Sequence, residues 1–202
     1  MSVIQGHAKM LEGSVAGDDA KWRLQTIQDQ IARISRIIHM LLEIAHPRRS
    51  RTERVELAPL LDQTLAFVSE RLEHRGVRVK QTLQPSVRIN GDPERLQQLF
   101  LNLLLNAADA MPSGGELRVD LREDEAAGVC VRVADTGIGI ADADLERIFE
   151  PFYTTKEAGH GSGLGLMVCK GIVADHGGRI DVSSEPGAGT EFEITFRPSG
   201  NH

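Results

Sequence analysis

Two glycine clusters around one acidic residue constrain this chain more than any other feature. The first cluster is Asp135-Thr-Gly-Ile-Gly139, the second is Gly161-Ser-Gly-Leu-Gly165, and an aromatic, proline-containing loop separates them. Glycine lets a backbone turn sharply and approach a ligand closely, which residues with side chains allow less freely. The arrangement predicts a nucleotide site around which the rest of the chain folds.

The composition is that of a soluble globular protein. The 202 residues carry a net charge of -6, which gives no electrostatic reason to expect nucleic acid as the main partner. No apolar run approaches the ~18 residues of a membrane span, and the N-terminus lacks the layout of a signal peptide. We expect a cytoplasmic protein, or the cytoplasmic part of a larger sensor that reaches the membrane only through an upstream region.

Residues 1–48 have the pattern of a helical hairpin. In its second helix the apolar residues recur at alternating steps of three and four, the a/d pattern of a bundle seam, at Leu24, Ile27, Ile31, Ile34, Ile38, Leu41 and Ala45. Residues 1–13 give only about 20 Å of first helix, against about 42 Å for residues 18–45. Either another subunit covers the longer helix, or the first helix began further upstream. We expect a homodimer formed through this hairpin.

A second domain is predicted over residues 49–198, after His46-Pro47 and a short arginine-rich linker. Strands are expected at 55–57, 77–83, 87–89, 116–122, 129–134, 179–184 and 190–197, and helices at about 58–74, 93–111 and 164–176. Strands that alternate with helices but also form hairpins predict an α+β fold. The expected architecture is a two-layer α/β sandwich with a mixed sheet and helices mainly on one face.

A polar stripe lies on the helix predicted after Asp92. Asn102, Asn106 and Asp109 are spaced by four and three residues and therefore share one face. The stripe could simply face solvent. Alternatively, its amide oxygens could bind Mg²⁺ beside phosphates, while Asp135 accepts a hydrogen bond from an exocyclic amine.

Together these motifs resemble those of the sensor histidine kinases of two-component systems, within the superfamily that includes gyrase, the mismatch-repair ATPase and the large heat-shock chaperone (the GHKL superfamily). The matching segments, in family order, are an N box at 102–110, a first glycine box at 135–139, an F box at 149–152, a second glycine box at 161–165 and a terminal glycine box at 187–190. The resemblance implies a Bergerat-type ATP-binding fold. It also extends to the hairpin, as its dimerisation and histidine-phosphotransfer domain.

The resemblance implies an ATP site with Mg²⁺. Asp135 would accept a hydrogen bond from the adenine amino group, while Gly137 and Gly139 would let the backbone pass close to the base. Asn106 would bind Mg²⁺, with Asn102 nearby on the phosphate side. Asp109, on the same helix face, is included in the ATP site.

The resemblance also implies a mobile lid over residues 153–160, in which Lys156 is a candidate for phosphate contact. Gly161, Gly163 and Gly165 would turn the chain into the helix that begins at Leu164, whose first amides and dipole could hold the phosphates. Thr190 could touch the edge of the nucleotide. Phe149 and Phe152 are expected to anchor the lid in the core.

The N box favours phosphoryl transfer over hydrolysis. In the ATPases of the superfamily a glutamate one helical turn before the Mg²⁺-binding asparagine activates water, and here that position is Asn102, whose amide cannot take a proton. In the kinases that this sequence resembles, the acceptor is a histidine of the hairpin that is followed by an acidic residue. The phosphoryl group then passes from this histidine to a response-regulator receiver domain.

That acceptor segment is not found in this sequence. The six internal histidines are followed by Ala, Met, Pro, Arg, Gly and Gly, and His202 is the last residue. We therefore expect a histidine kinase core in which the acceptor segment is missing and which does not phosphorylate itself. The alternatives are a non-catalytic nucleotide-binding regulatory module and a GHKL-type ATPase.

Overall fold

The computed structural model describes residues 52–124, 128–156 and 162–197. The hairpin predicted over residues 1–48 lies outside these ranges. Elements are numbered in chain order from residue 52. The strands are β1 (Glu53–Glu56), β2 (Val77–Leu83), β3 (Arg88–Gly91), β4 (Gly115–Asp124), β5 (Gly128–Asp135), β6 (Arg179–Glu185) and β7 (Gly189–Phe196). The helices are α1 (Leu57–His74), α2 (Pro93–Ala110), α3 (Asp142–Leu145) and α4 (Gly165–Asp175).

The main sheet is mixed, as predicted. Its order is β2-β4-β5-β7-β6, in which β2 runs parallel to β4 and the other neighbours pair antiparallel. The strands β1 and β3 form a separate antiparallel pair. Each strand predicted from the sequence is present with its ends shifted by up to two residues. Among the elements that the structure describes, only the four-residue helix α3 was not predicted.

One face of the sheet is apolar and the other is charged. Val119, Val131 and Ile194 are fully buried and belong to the core that α1, α2 and α4 also build. On the opposite face Arg132 lies 2.5 Å from Glu193 across β5 and β7. Because side chains alternate along a strand, this pattern places the helices on one face and gives the expected two-layer α+β sandwich.

Helix α2 positions the polar stripe. Asp92 caps its N-terminus, with its carboxylate accepting from the amides of Glu94 at 3.0 Å and Arg95 at 3.2 Å, and Pro93 occupies the first turn, where it sacrifices no intrahelical hydrogen bond. The buried face of the helix carries Leu96, Leu99, Phe100, Leu103 and Leu104. With that face fixed in the core, the stripe of Asn102, Asn106 and Asp109 faces away from it.

Within the described ranges, no helix is both long enough and hydrophobic enough to cross a bilayer.

Candidate functional site

A cavity of about 280 Å³ lies where α2, the end of β5 and the start of α4 meet. This volume is close to the lower end of the ~300–1,000 Å³ typical of small-molecule sites. Nine of the residues predicted from the sequence line it: Asn102, Asn106, Asp109, Asp135, Gly139, Lys156, Gly163, Gly165 and Thr190. Residues that are distant in the sequence therefore meet at one place.

Asp135 ends strand β5 and is buried, with 9% of its surface exposed. Its Oδ1 accepts a hydrogen bond from the Gly137 amide at 2.8 Å. Burial raises the pKa of this carboxyl, while the backbone amides of Gly137 and Thr190 oppose the shift by stabilising the ionised form. A carboxylate has about four lone-pair sites, so Asp135 retains acceptor capacity toward the cavity.

Gly137 serves helix packing in this structure. A Cβ at this position would lie 2.4 Å from the carbonyl oxygen of Ala110, and the next amide, that of Ile138, donates to the same oxygen at 2.9 Å. The residue does not line the cavity, in contrast to Gly139. The first glycine box thus docks the end of β5 against α2, which holds Asp135 beside the polar stripe.

The amide residues of α2 face the start of α4. The Asn102 side-chain amide lies 3.5 Å from the Gly165 carbonyl oxygen, at the limit of a hydrogen bond. One turn later, Asn106 Oδ1 lies 3.4 Å from Lys156 Nζ. The first turn of α4 presents amides that no intrahelical carbonyl can accept, a feature that suits an anion.

Asp109 is the centre of a cationic cluster. Its Oδ1 lies 2.6 Å from Arg71 and 3.2 Å from Arg75, and its Oδ2 lies 2.8 Å from Lys156. Burial alone would raise the pKa of Asp109, but the hydrogen bonds from Lys156 and Arg71 outweigh this effect and the pKa is lowered. Arg71, which sequence reasoning missed, also lines the cavity.

Two predicted residues that the structure describes, Gly137 and Leu164, do not line the cavity. Leu164 is buried at 2% exposure, just before the first residue of α4. Gly161 lies outside the described residues, as do residues 157–160 of the predicted lid.

The expectation for the two F-box phenylalanines holds for only one of them. Phe149 packs against the core, whereas Phe152 is 66% exposed, so its assignment as a core anchor was wrong. The physical reason is local: Phe152 adopts a φ of 65°, and Gly163 packs so closely that a Cβ there would lie 2.3 Å from the Phe152 carbonyl carbon. The tight backbone contact turns the Phe152 ring outward.

The residues present fit a magnesium nucleotide. In the described ranges no cluster of three or more His, Cys, Asp or Glu side chains could hold a metal by itself. Mg²⁺ beside phosphates needs only one or two protein oxygen ligands, because phosphate and water oxygens complete its coordination. Asn106 Oδ1, which already faces the Lys156 ammonium, is a suitable ligand of that kind.

Curated relatives match almost the whole chain. Sporulation kinase E of Bacillus subtilis strain 168 is 36% identical over 197 residues, which are 97% of this chain and 26% of that protein. Sensor histidine kinase ZraS of Escherichia coli K12 is 37% identical over 196 residues, which are 96% of this chain and 42% of that protein. The chain thus spans less than half the length of these relatives.

Solved structures agree with these relatives. The mycobacterial sensor histidine kinase MprB superimposes with a TM-score of 0.64 at 30% identity, covering 73% of this chain and 99% of that one. Full-length ShkA, in complex with AMPPNP, gives a TM-score of 0.78 at 26% identity, covering 98% of this chain and 43% of that one.

The sequence profile of one family matches residues 91–200, which include α2, all three glycine boxes and β7. That segment is more than half of the chain and contains every predicted site residue. Relatives that match over this segment include sensor histidine kinases. The chain therefore belongs to the histidine kinase-, DNA gyrase B- and HSP90-like ATPase family.

Proposed function

We propose that this domain binds Mg-ATP in the described cavity and transfers the γ-phosphoryl group to a histidine of a phosphotransfer hairpin, from which it passes to a response-regulator receiver domain. The observation that carries the proposal is the meeting of Asp135, Asn106 and Lys156 around one cavity. An acceptor for the adenine amine, an amide oxygen for a hard cation and an ammonium for phosphate are the groups that Mg-ATP requires. The AMPPNP complex of the similar kinase ShkA supports the choice of an adenine nucleotide.

Asp135 would orient the base. Its carboxylate accepts a hydrogen bond from the adenine 6-amino group. The carbonyl of guanine would instead place two acceptors against each other and leave the cavity-facing oxygen of Asp135 without a donor. The Gly137 amide fixes the carboxylate on the protein side, so little reorganisation is needed on binding.

Asn106, Lys156 and the first turn of α4 would hold the phosphates. Asn106 supplies a ligand to Mg²⁺, which when bound neutralises charge on the phosphate oxygens. Lys156 already reaches the same amide oxygen, so it can exchange that contact for a phosphate oxygen without a large movement.

Transfer is favoured over hydrolysis because the described lining of the cavity contains no suitable general base. Among the lining residues that the structure describes, the only acids are Asp109 and Asp135. Asp109 is paired with three cations and its pKa is lowered, so it is a weak base. Asp135 is engaged by backbone amides and would be engaged by the adenine ring, so it is not available to activate water. Asn102 cannot accept a proton from water.

The acceptor histidine is proposed to lie outside the 202 residues of this sequence. Neither of the two histidines that the structure describes lines the cavity, so neither is placed to accept the phosphoryl group. In His176 both ring nitrogens are engaged: Nδ1 lies 2.7 Å from the Ile172 carbonyl oxygen, and Nε2 accepts from the Asp92 amide at 3.0 Å. His74 is an exposed residue of α1 beside Glu70. A homodimer formed through the hairpin and a cytoplasmic location are part of the proposal.

The proposal is tested by incubating the chain with γ-labelled ATP and Mg²⁺, alone and with a separately purified hairpin that contains an acceptor histidine. We expect acid-labile label on the added hairpin and none on the isolated chain. The Asp135→Asn variant should transfer no label. Label on the isolated chain would contradict the proposed position of the acceptor.

The same assay examines the two other functions. Steady phosphate release without a hairpin, lost in Asp135→Asn, would indicate an ATPase instead. ATP binding with neither transfer to the hairpin nor phosphate release would indicate a nucleotide-binding regulatory module.

A further inference from the structure

Three cations converge on one carboxylate at the wall of the cavity. Arg71 and Arg75 come from α1, Lys156 follows the F box, and Asp109 belongs to α2. Three positive charges against one negative charge leave this part of the wall with a positive excess. Such an excess next to a cavity attracts anionic ligands.

The three cations differ in what they reach. Arg71 and Lys156 line the cavity, while Arg75 does not. Arg75 instead reaches the C-terminal end of α2, where it donates a hydrogen bond to the Ala108 carbonyl oxygen at 2.6 Å. Arg71 is the more exposed of the two arginines, with 48% of its side chain accessible against 31% for Arg75.

Asp109 cannot itself be a favourable phosphate contact, because two negative charges repel each other. Its carboxylate instead fixes the direction of the Arg71 side chain through the 2.6 Å bond from Nη2. A guanidinium has five N–H donors, so this bond leaves others available to a ligand. Asp109 is therefore a positioning residue.

Arg71 is also close to the proposed metal ligand. Lys156 Nζ bridges Asp109 Oδ2 at 2.8 Å and Asn106 Oδ1 at 3.4 Å, and Arg71 is bonded to the other oxygen of Asp109. One ammonium and one carboxylate thus separate Arg71 from Asn106. A phosphate chain whose metal is bound at Asn106 would extend within reach of this cluster.

We propose that Arg71, which lies outside all the glycine-rich motifs, contacts the phosphate groups of the bound nucleotide and is oriented for this by Asp109. This inference rests on the proposed function, because it assumes a nucleoside triphosphate in the cavity. Arginine suits the task, since its planar fork matches phosphate oxygens and keeps its charge at any physiological pH.

The test is calorimetric titration of the wild-type chain and the Arg71→Ala variant with Mg-ATP, Mg-ADP and adenosine. Loss of one hydrogen bond between charged groups corresponds to roughly tenfold to hundredfold weaker binding. We expect a loss of that size for ATP, and adenosine binding unchanged because it carries no phosphate. The Arg71→Lys variant should recover part of the loss.

Two further variants act as controls. Arg95→Ala removes an Arg–Asp pair of the same 2.6 Å length, to Asp175, away from this cavity, and should not alter ATP affinity. Arg75→Ala removes one partner of Asp109 but no cation from the cavity lining. It should weaken ATP binding less than Arg71→Ala does.

Several results would overturn the inference. They are unchanged ATP affinity in Arg71→Ala, an equal loss in Arg75→Ala, or an equal loss of adenosine binding, which would indicate a collapsed cavity. Circular dichroism of each variant shows whether the fold is retained. Failure of the proposed function itself is recognised separately, because the wild-type chain would then not bind ATP.

Discussion

The junction between β5 and β7 depends on a glycine, and its replacement should damage both the fold and the site. Gly189 begins β7 at a φ of +113°, and a Cβ there would lie 1.9 Å from the carbonyl oxygen of Asp135. Gly187, two residues earlier in the same turn, has a φ of +80° with nothing within 4 Å of an added Cβ. Gly187→Ala is therefore a matched control that carries the conformational cost without the collision.

The two substitutions should differ clearly in stability. The left-handed conformation costs an alanine about 1–2 kcal/mol, which is the whole effect expected for Gly187→Ala. Gly189→Ala adds an overlap with backbone that cannot rotate away, and overpacking of this kind costs roughly 1–3 kcal/mol more. At about 2–4 °C per kcal/mol for a chain of this size, the Tm should fall roughly 2–12 °C further for Gly189→Ala than for Gly187→Ala.

ATP affinity should also fall further in Gly189→Ala than in Gly187→Ala. Relief of the overlap moves the end of β5 away from β7, and with it the Asp135 carboxylate and Thr190, which pair across these strands. A displacement of about 1 Å can reduce function by up to a hundredfold, so we expect ATP affinity to fall roughly tenfold to a hundredfold in Gly189→Ala. Thermal unfolding by far-ultraviolet circular dichroism and ATP titration measure the two effects. Equal losses of Tm in both variants would refute the reasoning.

Three other substitutions give distinct outcomes. Gly171→Ala, at an exposed position inside α4 with nothing within 4 Å of an added Cβ, should raise stability by about 1 kcal/mol without changing ATP affinity, and a lower Tm would contradict this. The pKa of Asp109 is lowered, so its ionised form stabilises the fold at pH values above the ordinary carboxyl pKa, and this contribution is lost as the pH falls through the lowered pKa. Asp109→Asn should therefore remove this part of the loss of stability in acid, which denaturant titrations at several pH values measure. Burial raises the pKa of Asp135, so its charge opposes folding at neutral pH and the fold gains stability as the pH falls through the raised pKa. Asp135→Asn should therefore be at least as stable as the wild-type chain at pH 7, and a large loss of Tm would contradict this.

Most of the fold could be predicted because its signals are local. The cap at Asp92, the proline after it and the apolar spacing of α2 all lie within one segment of sequence, and the helix begins where they indicate. The strands likewise follow from alternation and from turn residues between them. Helix α3 was missed because four residues do not produce a recognisable period.

The missed features of the site depend on contacts between distant residues. Arg71 is 38 residues from Asp109, and only the packing of α1 on α2 brings the two together. The role of Gly137 depends on the carbonyl of Ala110, which no motif specifies. The outward position of Phe152 depends on its left-handed backbone conformation and on the close packing of Gly163, more than ten residues further along the chain. The family motifs located the cavity, but they do not contain the residues that support it from α1.

The central claim is that the cavity recognises ATP through the Asp135 carboxylate. Calorimetric titration of the wild-type chain and Asp135→Asn with Mg-ATP and Mg-GTP tests it most directly, with Gly171→Ala as a variant that leaves the cavity intact. We predict that the wild-type chain and Gly171→Ala bind ATP. Both should bind GTP at least about a hundredfold more weakly, because guanine offers no donor to the cavity-facing oxygen of Asp135. Asp135→Asn should lose the preference together with most of its ATP affinity. Equal binding of the two nucleotides by the wild-type chain, or undiminished ATP binding by folded Asp135→Asn, would contradict the account.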